Sequence, residues 1–303
     1  MRTAILLTVI LPFVGLIVGI VLLWGHGFSW AHLIVLLVMY HLTALGVTLG
    51  YHRLFTHRAF ETFRPIRLIL GILGSMAVQG PLLKWVAVHR RHHQHSDEPG
   101  DPHSPHLHGP GVLAMLRGLV HAHTGWLFSA DTPGLDRYIG DLLPDRTLRA
   151  VSKLFPLWVV IGLLIPAALG GLLTWTWFGV LVGFIWGGLA RVFLVHHMTW
   201  SINSVCHLWG RQPFRARDES RNNVVMGIVG LGEGWHNNHH AFPTSARHGL
   251  RWWEFDLTYL IIRTLKAMKL VWKVRLPTAD AIAARLREAR SLTRSSLQSA
   301  ASC

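Results

Sequence analysis

Four long apolar stretches, at residues 5–24, 30–50, 154–173 and 176–195, constrain the fold of this chain more than any other feature. Each is close to the ~20 residues that cross the hydrocarbon core of a bilayer as a helix. Hydrophobic residues make up 51% of the chain and charged residues only 15%, below the level of about 25% that is usual in soluble domains. The sequence therefore predicts an all-α membrane protein with four transmembrane helices.

The first stretch also has the length of a secretory signal peptide, which is the competing interpretation. No Ala-x-Ala-like cleavage site follows it, and a second apolar stretch begins almost at once. We therefore expect a span that is retained. The two cysteines, Cys206 and Cys303, are too few for a disulfide framework.

The positive charge is unevenly distributed along the chain. Counting 29 Lys and Arg against 15 Asp and Glu gives a net charge of +14, which a nucleic-acid-binding protein could also carry. Apart from Arg2 and Arg191, the cations lie within residues 53–67, 84–153 and 211–294, whereas the connections at 25–29 and 170–175 contain none. This positive-inside pattern predicts a multi-pass membrane protein with both termini in the cytoplasm, and no nucleic-acid partner.

Two sequence features test this topology. Residues 68–83 are 16 uncharged residues that would form a helix of only about 24 Å, which is too short to span the membrane. We expect a non-spanning apolar helix there, since a crossing would also separate His52 and His57 from the histidines at 89–93. Arg191 interrupts the fourth stretch, and we expect its side chain to extend to the membrane interface.

The 21 histidines of the chain include three clusters with regular spacing. The segment 51–57 reads YHRLFTH, residues 89–93 read HRRHH, and residues 236–240 read HNNHH. In a helix, positions i, i+3 and i+4 share one face, so each of the last two clusters could bind a metal ion. Asn203 and His207 form a further pair at i and i+4 just after the fourth stretch. The topology brings all of them to one membrane face.

Polar residues at a headgroup interface are the alternative interpretation of these histidines, and for any single histidine it is the better one. Three clusters with helical spacing on one face favour metal binding. Neutral imidazole binds Zn, Cu, Fe and Ni, so the ligand type leaves the metal open. Nine imidazoles indicate two metal ions rather than one.

The three clusters, together with residues 232–243 (GEGWHNNHHAFP) and 200–207 (WSINSVCH), resemble those of the membrane fatty acid desaturases. The resemblance covers residues 49–278 and is strongest to bacterial Δ9 acyl-CoA and acyl-lipid desaturases, with similarity to animal stearoyl-CoA desaturases. It implies four membrane helices under a cytoplasmic helical cap that holds a di-iron site. By this resemblance the iron ligands are His52, His57, His89, His92, His93, His207, His236, His239 and His240, with Asn203 reaching one iron through water.

The resemblance also implies the reaction. Two iron ions (Fe2+/Fe3+) and O2 would introduce a cis double bond, at the Δ9 position, into a long-chain acyl-CoA or acyl lipid of the membrane. The chain has no flavin motif, no haem-binding domain and no ferredoxin cysteines. A ferredoxin-like or other electron carrier with its reductase is therefore expected as a partner.

Other residues receive roles from their position near the clusters. The resemblance places Gln79, Trp85 and Thr199 in the acyl channel, although ordinary packing is the alternative. Asp97, Asp101 and Glu233 could orient ligand imidazoles as hydrogen-bond acceptors or be solvated loop carboxylates. His196 and His197 have no counterpart among the family's ligands, and we expect packing or hydrogen bonding there.

Several alternatives stay open at this point. A fatty acyl hydroxylase could use the same scaffold, and a membrane metal carrier would predict polar residues along a path through the spans, which contain only His32, His41 and Arg191. Residues 1–277 are expected to form the membrane enzyme domain and residues 278–303 a polar tail. The sequence leaves open the acyl carrier, the chain length, the oligomeric state and the role of the His- and Pro-rich loop 101–111.

Overall fold

The computed structural model describes residues 2–23, 29–129 and 134–286. It is mostly helical, and the chain divides into two compact units. The first unit comprises Met1–Thr56, Phe63–Arg90 and Thr124–Trp200, and the second comprises His57–Thr62, Arg91–His123 and Ser201–Cys303. The expected connection at 25–29, except for its last residue, and the tail from residue 287 onward lie outside the described residues.

Twelve α-helices account for most of the described chain. They are α1 (Arg2–Val18), α2 (Trp30–Leu45), α3 (Arg64–Met76), α4 (Leu82–His95), α5 (Val112–His123), α6 (Arg146–Lys153), α7 (Phe155–Thr174), α8 (Trp177–Gly183), α9 (Arg191–Leu208), α10 (Val224–Val229), α11 (His236–Ala241) and α12 (Leu257–Ala267). Wider π-helical segments extend three of them, at Gly19–Leu23, Gly46–Thr56 and Phe184–Ala190. Short 3-10 turns lie at Gly125–Phe128 and Leu135–Tyr138.

Four continuous helices are long and apolar enough to cross a membrane, at Arg2–Val21, Trp30–Thr56, Phe155–Thr174 and Trp177–Leu208. They coincide with the four predicted spans. The second and fourth contain 27 and 32 residues, so they continue beyond the predicted ends at residues 50 and 195. These continuations carry His52 and His207, which therefore belong to the ends of membrane-length helices.

Close backbone approach in the first unit depends on glycine. Helices α7 and α8 form a hairpin in which a Cβ atom added to Gly170 would lie 2.3 Å from the carbonyl oxygen of Gly179. A Cβ atom at Gly183 would lie 2.3 Å from the carbonyl oxygen of Pro166. In lipid, no hydrophobic force draws helices together, so helix association depends on van der Waals contact. Small residues allow the close approach that this contact requires.

The apolar stretch 68–83 contains a break. Helix α3 ends at Met76 and α4 begins at Leu82, with Val78 between them at a φ of 61°. A positive φ is unusual for a β-branched residue, and such strain persists only where the surroundings hold it in place. Tyr51 and His196 supply part of that support, since Tyr51 bonds to Ser75 and His196 to the carbonyl of Val78. That this stretch does not cross the membrane stays a prediction.

The expectation that Arg191 extends to the interface is wrong. Its side chain is 0% exposed, and the guanidinium donates to the carbonyl oxygens of Gly187 at 3.2 Å, Met76 at 2.6 Å and Gly162 at 2.8 Å. Met76 is the last residue of α3, so no backbone N–H group of that helix is available to donate to its carbonyl oxygen. Three carbonyl acceptors inside the bundle stabilise the cation there, which makes the interface unnecessary.

The second unit is held by short elements. Strands β1 (Glu61–Thr62) and β2 (Val271–Trp272) pair antiparallel, and the hydroxyl of Thr62 donates to the carbonyl of Leu270 at 2.7 Å. The backbone N–H of Arg275 donates to Ala59 at 2.8 Å. These bonds fasten residues 57–62, and with them His57, to the chain that follows α12.

Candidate metal centre

Helix α4 carries His89, His92 and His93 in its last two turns. Nδ1 of His92 lies 3.0 Å from both carboxylate oxygens of Asp101. The same carboxylate accepts the backbone N–H groups of Asp97 at 2.9 Å and His103 at 3.0 Å. The turn after α4 is therefore wound around Asp101, and Asp101 in turn orients the ring of His92.

Two further histidines in the second unit have the same arrangement. Nδ1 of His207, at the end of α9, lies 2.8 Å from Asp97. Nδ1 of His240, in α11, lies 2.6 Å from Asp218. Because an ionised carboxylate can only accept, Nδ1 carries the proton in each pair. Nε2 is then the nitrogen with a lone pair for a metal ion.

One ring nitrogen from each of four histidines lies within 4.8 Å of the others, in a group formed by His92, His207, His236 and His240. Nε2 of His207 and Nε2 of His236 are 3.0 Å apart. Nε2 of His240 and Nδ1 of His236 are buried, and neither has a hydrogen-bond partner in the described chain. Unsatisfied buried nitrogens are costly, and a metal ion bound to Nε2 of His240 would satisfy that nitrogen. We call His92, His207, His236 and His240 the four-histidine group.

Electrostatics in the second unit keep three carboxylates charged and act differently on the individual histidines. Burial alone would raise the pKa of Asp97, Asp101 and Asp218, but the histidine that contacts each one outweighs burial and holds each pKa well below its usual range. Burial lowers the pKa of His236 and His240, with Asp218 opposing this at His240. Burial would also lower the pKa of His207, but the contact with Asp97 outweighs it and raises that pKa. The neutral rings of His236 and His240 suit metal ligation, since a protonated ring cannot bind a cation, and the ring of His207 would release a proton when the metal binds.

The other predicted ligands also lie in close groups within each unit. In the second unit, Nε2 of His93 and Nε2 of His239 are 3.0 Å apart, and the ring of His57 is 4.6 Å from each of their rings. In the first unit, the ring centroids of His52 and His89 are 4.6 Å apart. The structure thus gathers all nine predicted histidines into groups of two, three and four.

A family model described as "Fatty acid desaturase" matches residues 28–274 of this chain. The chain belongs to the fatty acid desaturase family. It is therefore an enzyme of the oxidoreductase class, and the histidine groups lie within the matched range. They are compatible with the metal binding that such chemistry requires.

Three relatives show how broad this desaturase family is. The chain is 46% identical over 278 residues to the hex-5-enoyl-[acyl-carrier protein] acetylenase of Moorena producens, covering 91% of this chain and 87% of the relative. It is 38% identical over 273 residues to the sn-1 stearoyl-lipid 9-desaturase of Anabaena variabilis, covering 87% and 92%. It is 38% identical over 239 residues to the icosanoyl-CoA 5-desaturase of Limnanthes douglasii, covering 77% and 62%. The three names give three different acyl carriers.

In this desaturase, two asparagines hold the third histidine cluster in place. Oδ1 of Asn237 accepts the backbone N–H of Phe214 at 2.8 Å, and its Nδ2 donates to the carbonyl of Phe214 at 3.0 Å. Asn238 accepts from Asn222 at 2.7 Å and donates to Glu254 at 2.8 Å. A helix of six residues has little stability of its own, so these side chains fix the orientation of α11.

The predicted orienting carboxylates have mixed outcomes. Asp97 and Asp101 make the expected contacts with predicted ligand histidines. Glu233 lies 3.6 Å from Nδ1 of His248, whose ring is 4.5 Å from that of His239. Asp218 was missed, because it lies in an irregular segment far from the histidine clusters in sequence and no periodic pattern marks it.

The predicted channel residues of the desaturase lie in the first unit. Nε2 of Gln79 and the hydroxyl of Thr199 both donate to the carbonyl of Val195, at 3.3 and 3.0 Å. Trp85 stacks on His89 with ring centroids 4.9 Å apart. Two of the three residues therefore share an acceptor, and the third contacts a predicted ligand. Their role in substrate binding stays a prediction.

The expectation for His196 and His197 is confirmed. Nε2 of His196 lies 3.0 Å from the carbonyl of Val78, and its ring packs against Trp200. The ring of His197 also contacts Trp200, at 5.3 Å. Asn203 is half-buried one turn before the end of α9, and its water-mediated role stays a prediction.

The loop 101–111 divides into two parts. Asp101, His103 and Ser104 are buried, whereas residues 106–111 are exposed. The ring of His103 is 4.4 Å from that of His92, and burial lowers the pKa of His103 to about 3. Nε2 of His106 lies 2.8 Å from the carbonyl of His207. The start of this loop is therefore part of the site, and the remainder is surface.

Proposed function

We propose that this chain catalyses O2-dependent desaturation of a long-chain fatty acyl group and introduces a cis double bond. The overall reaction is R–CH2–CH2–R′ + O2 + 2 e⁻ + 2 H⁺ → R–CH=CH–R′ + 2 H2O. No amino-acid side chain removes hydrogen from an unactivated methylene, so the oxidising power must come from bound metal and O2. The protein supplies the ligands, their orientation and the exclusion of water.

The single observation that supports this proposal best is the four-histidine group with its three carboxylates. Three of the four rings donate Nδ1–H to a buried aspartate, namely Asp101, Asp97 and Asp218. This arrangement fixes the tautomer, turns Nε2 toward the metal and makes Nε2 a more basic metal ligand. We propose that the metal is iron, and that two iron ions are held by the nine histidines named above with Asn203 acting through water.

The Δ9 position is the proposed site of the double bond, with an acyl lipid or acyl-CoA as substrate. It is supported by the stearoyl-lipid 9-desaturase among the relatives, while the icosanoyl-CoA 5-desaturase supports a thioester substrate. We infer that Gln79, Trp85 and Thr199 position the acyl chain. The hydroxyl of Thr199 and the amide of Gln79 rigidify the same turn of α9 through Val195, which would hold the target methylenes at a constant depth.

A second candidate is acetylenase activity, in which an existing double bond becomes a triple bond with the same consumption of O2 and electrons. The relative from Moorena producens, at 46% identity, carries this name and acts on an acyl-carrier-protein thioester. The reaction differs from desaturation in substrate and not in cofactor. It therefore predicts the same metal content and a different product.

Two rivals have less support. A hydroxylase would use the same metal site but return one oxygen atom to the substrate as an alcohol. A metal carrier needs a polar path through its spans. The polar span residues instead have local partners: His32 bonds to Ser29, His41 to the carbonyl of Leu37, and Arg191 to three carbonyls.

The proposed location is a bacterial inner membrane, with the histidine groups on the cytoplasmic side in a helical cap. Four helices of membrane length and the uneven distribution of cations support it. Electrons must then come from a cytoplasmic carrier, ferredoxin-like or otherwise, with its reductase.

The experiment that tests this function is gas chromatography with mass spectrometry of total fatty acids from expressing cells, after derivatisation that locates double bonds. Cells with the wild-type chain should contain new cis-monoenes at one position. His92→Ala should abolish them, while His41→Ala, a histidine that bonds only within its own helix, should retain them. Alkynes would favour the acetylenase, and hydroxylated chains the hydroxylase.

A further inference from the structure

Residues 211–221 form a strongly basic surface segment next to the four-histidine group. The segment reads RQPFRARDESR and contains four arginines. Arg221 pairs with Glu219 at 2.9 Å. Arg211, Arg215 and Arg217 are exposed, and within the described ranges none of these three forms an ion pair. Three exposed guanidinium groups thus give the surface of one short loop a net positive charge.

The same segment reaches inward to two of the carboxylates that orient predicted ligands. Asp218, directly after Arg217, accepts Nδ1 of His240 at 2.6 Å. The backbone N–H of Glu219 donates to Asp97 at 2.9 Å, and Asp97 accepts Nδ1 of His207. Arg217 is therefore one residue and one hydrogen bond away from the ring of His240. The connection to the ring of His207 runs from Glu219 through Asp97 and contains two hydrogen bonds.

Two neighbours extend this surface. Arg285 is exposed, donates to the backbone carbonyl of Arg215 at 3.4 Å and lies 6.0 Å over the ring of Phe242. Trp209, two residues before Arg211, is 45% exposed. A large exposed aromatic residue with charges around it is the usual composition of a transient protein interface.

We propose that this basic surface, defined by Arg211, Arg215, Arg217, Arg285 and Trp209, is the docking site for a one-electron carrier protein with an acidic face. The inference rests on the proposed function, because the desaturation reaction consumes two electrons that this chain cannot generate. Each docking event would oxidise the carrier by one electron, which the metal ions held by the histidines would accept. Two events supply the two electrons of one turnover.

Arginine is suited to this role. Its planar guanidinium binds carboxylates through two parallel hydrogen bonds and is more weakly hydrated than an ammonium group. Charges at the edge of an interface steer a partner and raise its association rate, and this effect falls with ionic strength. An anionic lipid surface would attract the same arginines, but it would not explain why Arg217 directly precedes Asp218, the residue that accepts from His240.

The test uses the iron-loaded, full-length protein in neutral phosphatidylcholine vesicles, with a plant-type [2Fe–2S] ferredoxin and its reductase as the carrier. The variant is Arg211→Glu/Arg215→Glu/Arg217→Glu. The matched control is Arg263→Glu/Lys266→Glu/Lys269→Glu, which reverses three exposed cations in and after α12. Product is measured in two ways, with ferredoxin and, without any carrier, in a single turnover driven by dithionite.

We expect the variant to raise the KM for ferredoxin by roughly tenfold or more at low salt and to lose most of the salt dependence. The control should change that KM by less than about twofold, and all three proteins should form equal product with dithionite. A variant with the KM of the control overturns the proposal, as does a variant that fails with dithionite. Lost binding to phosphatidylglycerol vesicles with an unchanged KM would assign the surface to lipid instead.

The failure of the proposed function would look different. The wild-type protein would then form no unsaturated product from an acyl substrate even with dithionite and O2. In that case, calorimetry tests the docking site independently of the reaction. It measures the salt-dependent binding of ferredoxin to the variant and to the control. Equal affinity for both would overturn it.

Discussion

The carboxylate of Asp97 lies 2.8 Å from Nδ1 of His207, although 110 positions separate the two residues along the chain. The same carboxylate accepts the hydroxyl of Ser104 at 2.6 Å, through its other oxygen, and the backbone N–H of Glu219. One buried side chain therefore joins the turn after α4, the end of α9 and the basic surface. It also fixes the tautomer of a predicted metal ligand.

Asp97→Asn should weaken metal binding. The asparagine carbonyl can still accept from Nδ1–H, so the orientation of the His207 ring is retained. The negative charge that makes this ring a stronger metal ligand is lost. Substitutions of this kind reduce metal affinity by about 10- to 100-fold. Iron content after equilibration with a competing chelator measures the change. Asp136→Asn, at an exposed carboxylate, is the control, and equal iron content in both variants would contradict the role of Asp97.

Removal of the metal should lower the thermal stability of the protein. Without it, Nε2 of His240 remains buried with no hydrogen-bond partner in the described chain. A ligand that binds only the folded state at a hundred times its Kd adds about 2.7 kcal/mol of stability. The midpoint of thermal unfolding in detergent, with chelator and after anaerobic addition of Fe2+, tests this. Identical midpoints would argue against a metal site in the four-histidine group.

Arg191→Met should destabilise the first unit. Methionine fills a similar volume but leaves the carbonyl oxygens of Met76, Gly162 and Gly187 without the donor they have now. Each buried group without a partner costs about 1–3 kcal/mol, so the loss should be about 3 kcal/mol or more. Thermal unfolding should show Arg191→Lys between the wild type and the methionine variant. Arg64→Met, at an exposed position, should have no effect, and an equal shift in both methionine variants would refute this explanation.

Trp85→Ala should change the position of the double bond. Trp85 stacks on His89 and also contacts Tyr51, with ring centroids 5.6 Å apart. If it lines the acyl channel, its removal lets the chain slide and gives a mixture of positional isomers. The ratio of isomers, measured by mass spectrometry, is independent of how much protein folds. Trp252→Ala, at a 94% exposed residue, should keep the wild-type ratio, and an unchanged ratio in Trp85→Ala would exclude the channel role.

The sequence alone predicted the helices of membrane length and the clusters of histidines, because both depend on local patterns. Apolar stretches of bilayer length require helices whose backbone groups bond within the segment. Histidines at i, i+3 and i+4 share a face whatever the rest of the chain does. His89, His92 and His93 could therefore be predicted as a candidate ligand set before any tertiary contact was known.

Tertiary structure alone decided which groups support those histidines. Asp218 meets His240, and Asn237 meets Phe214, across loops whose paths no periodic pattern specifies. Arg191 was expected at the interface because an isolated helix offers its charge no partner. The folded bundle instead brings the carbonyls of Met76 and Gly162 within 2.6 and 2.8 Å of its guanidinium. Hydrophobic length and helical spacing are properties of a segment, whereas a hydrogen bond between distant residues exists only once packing has brought them together.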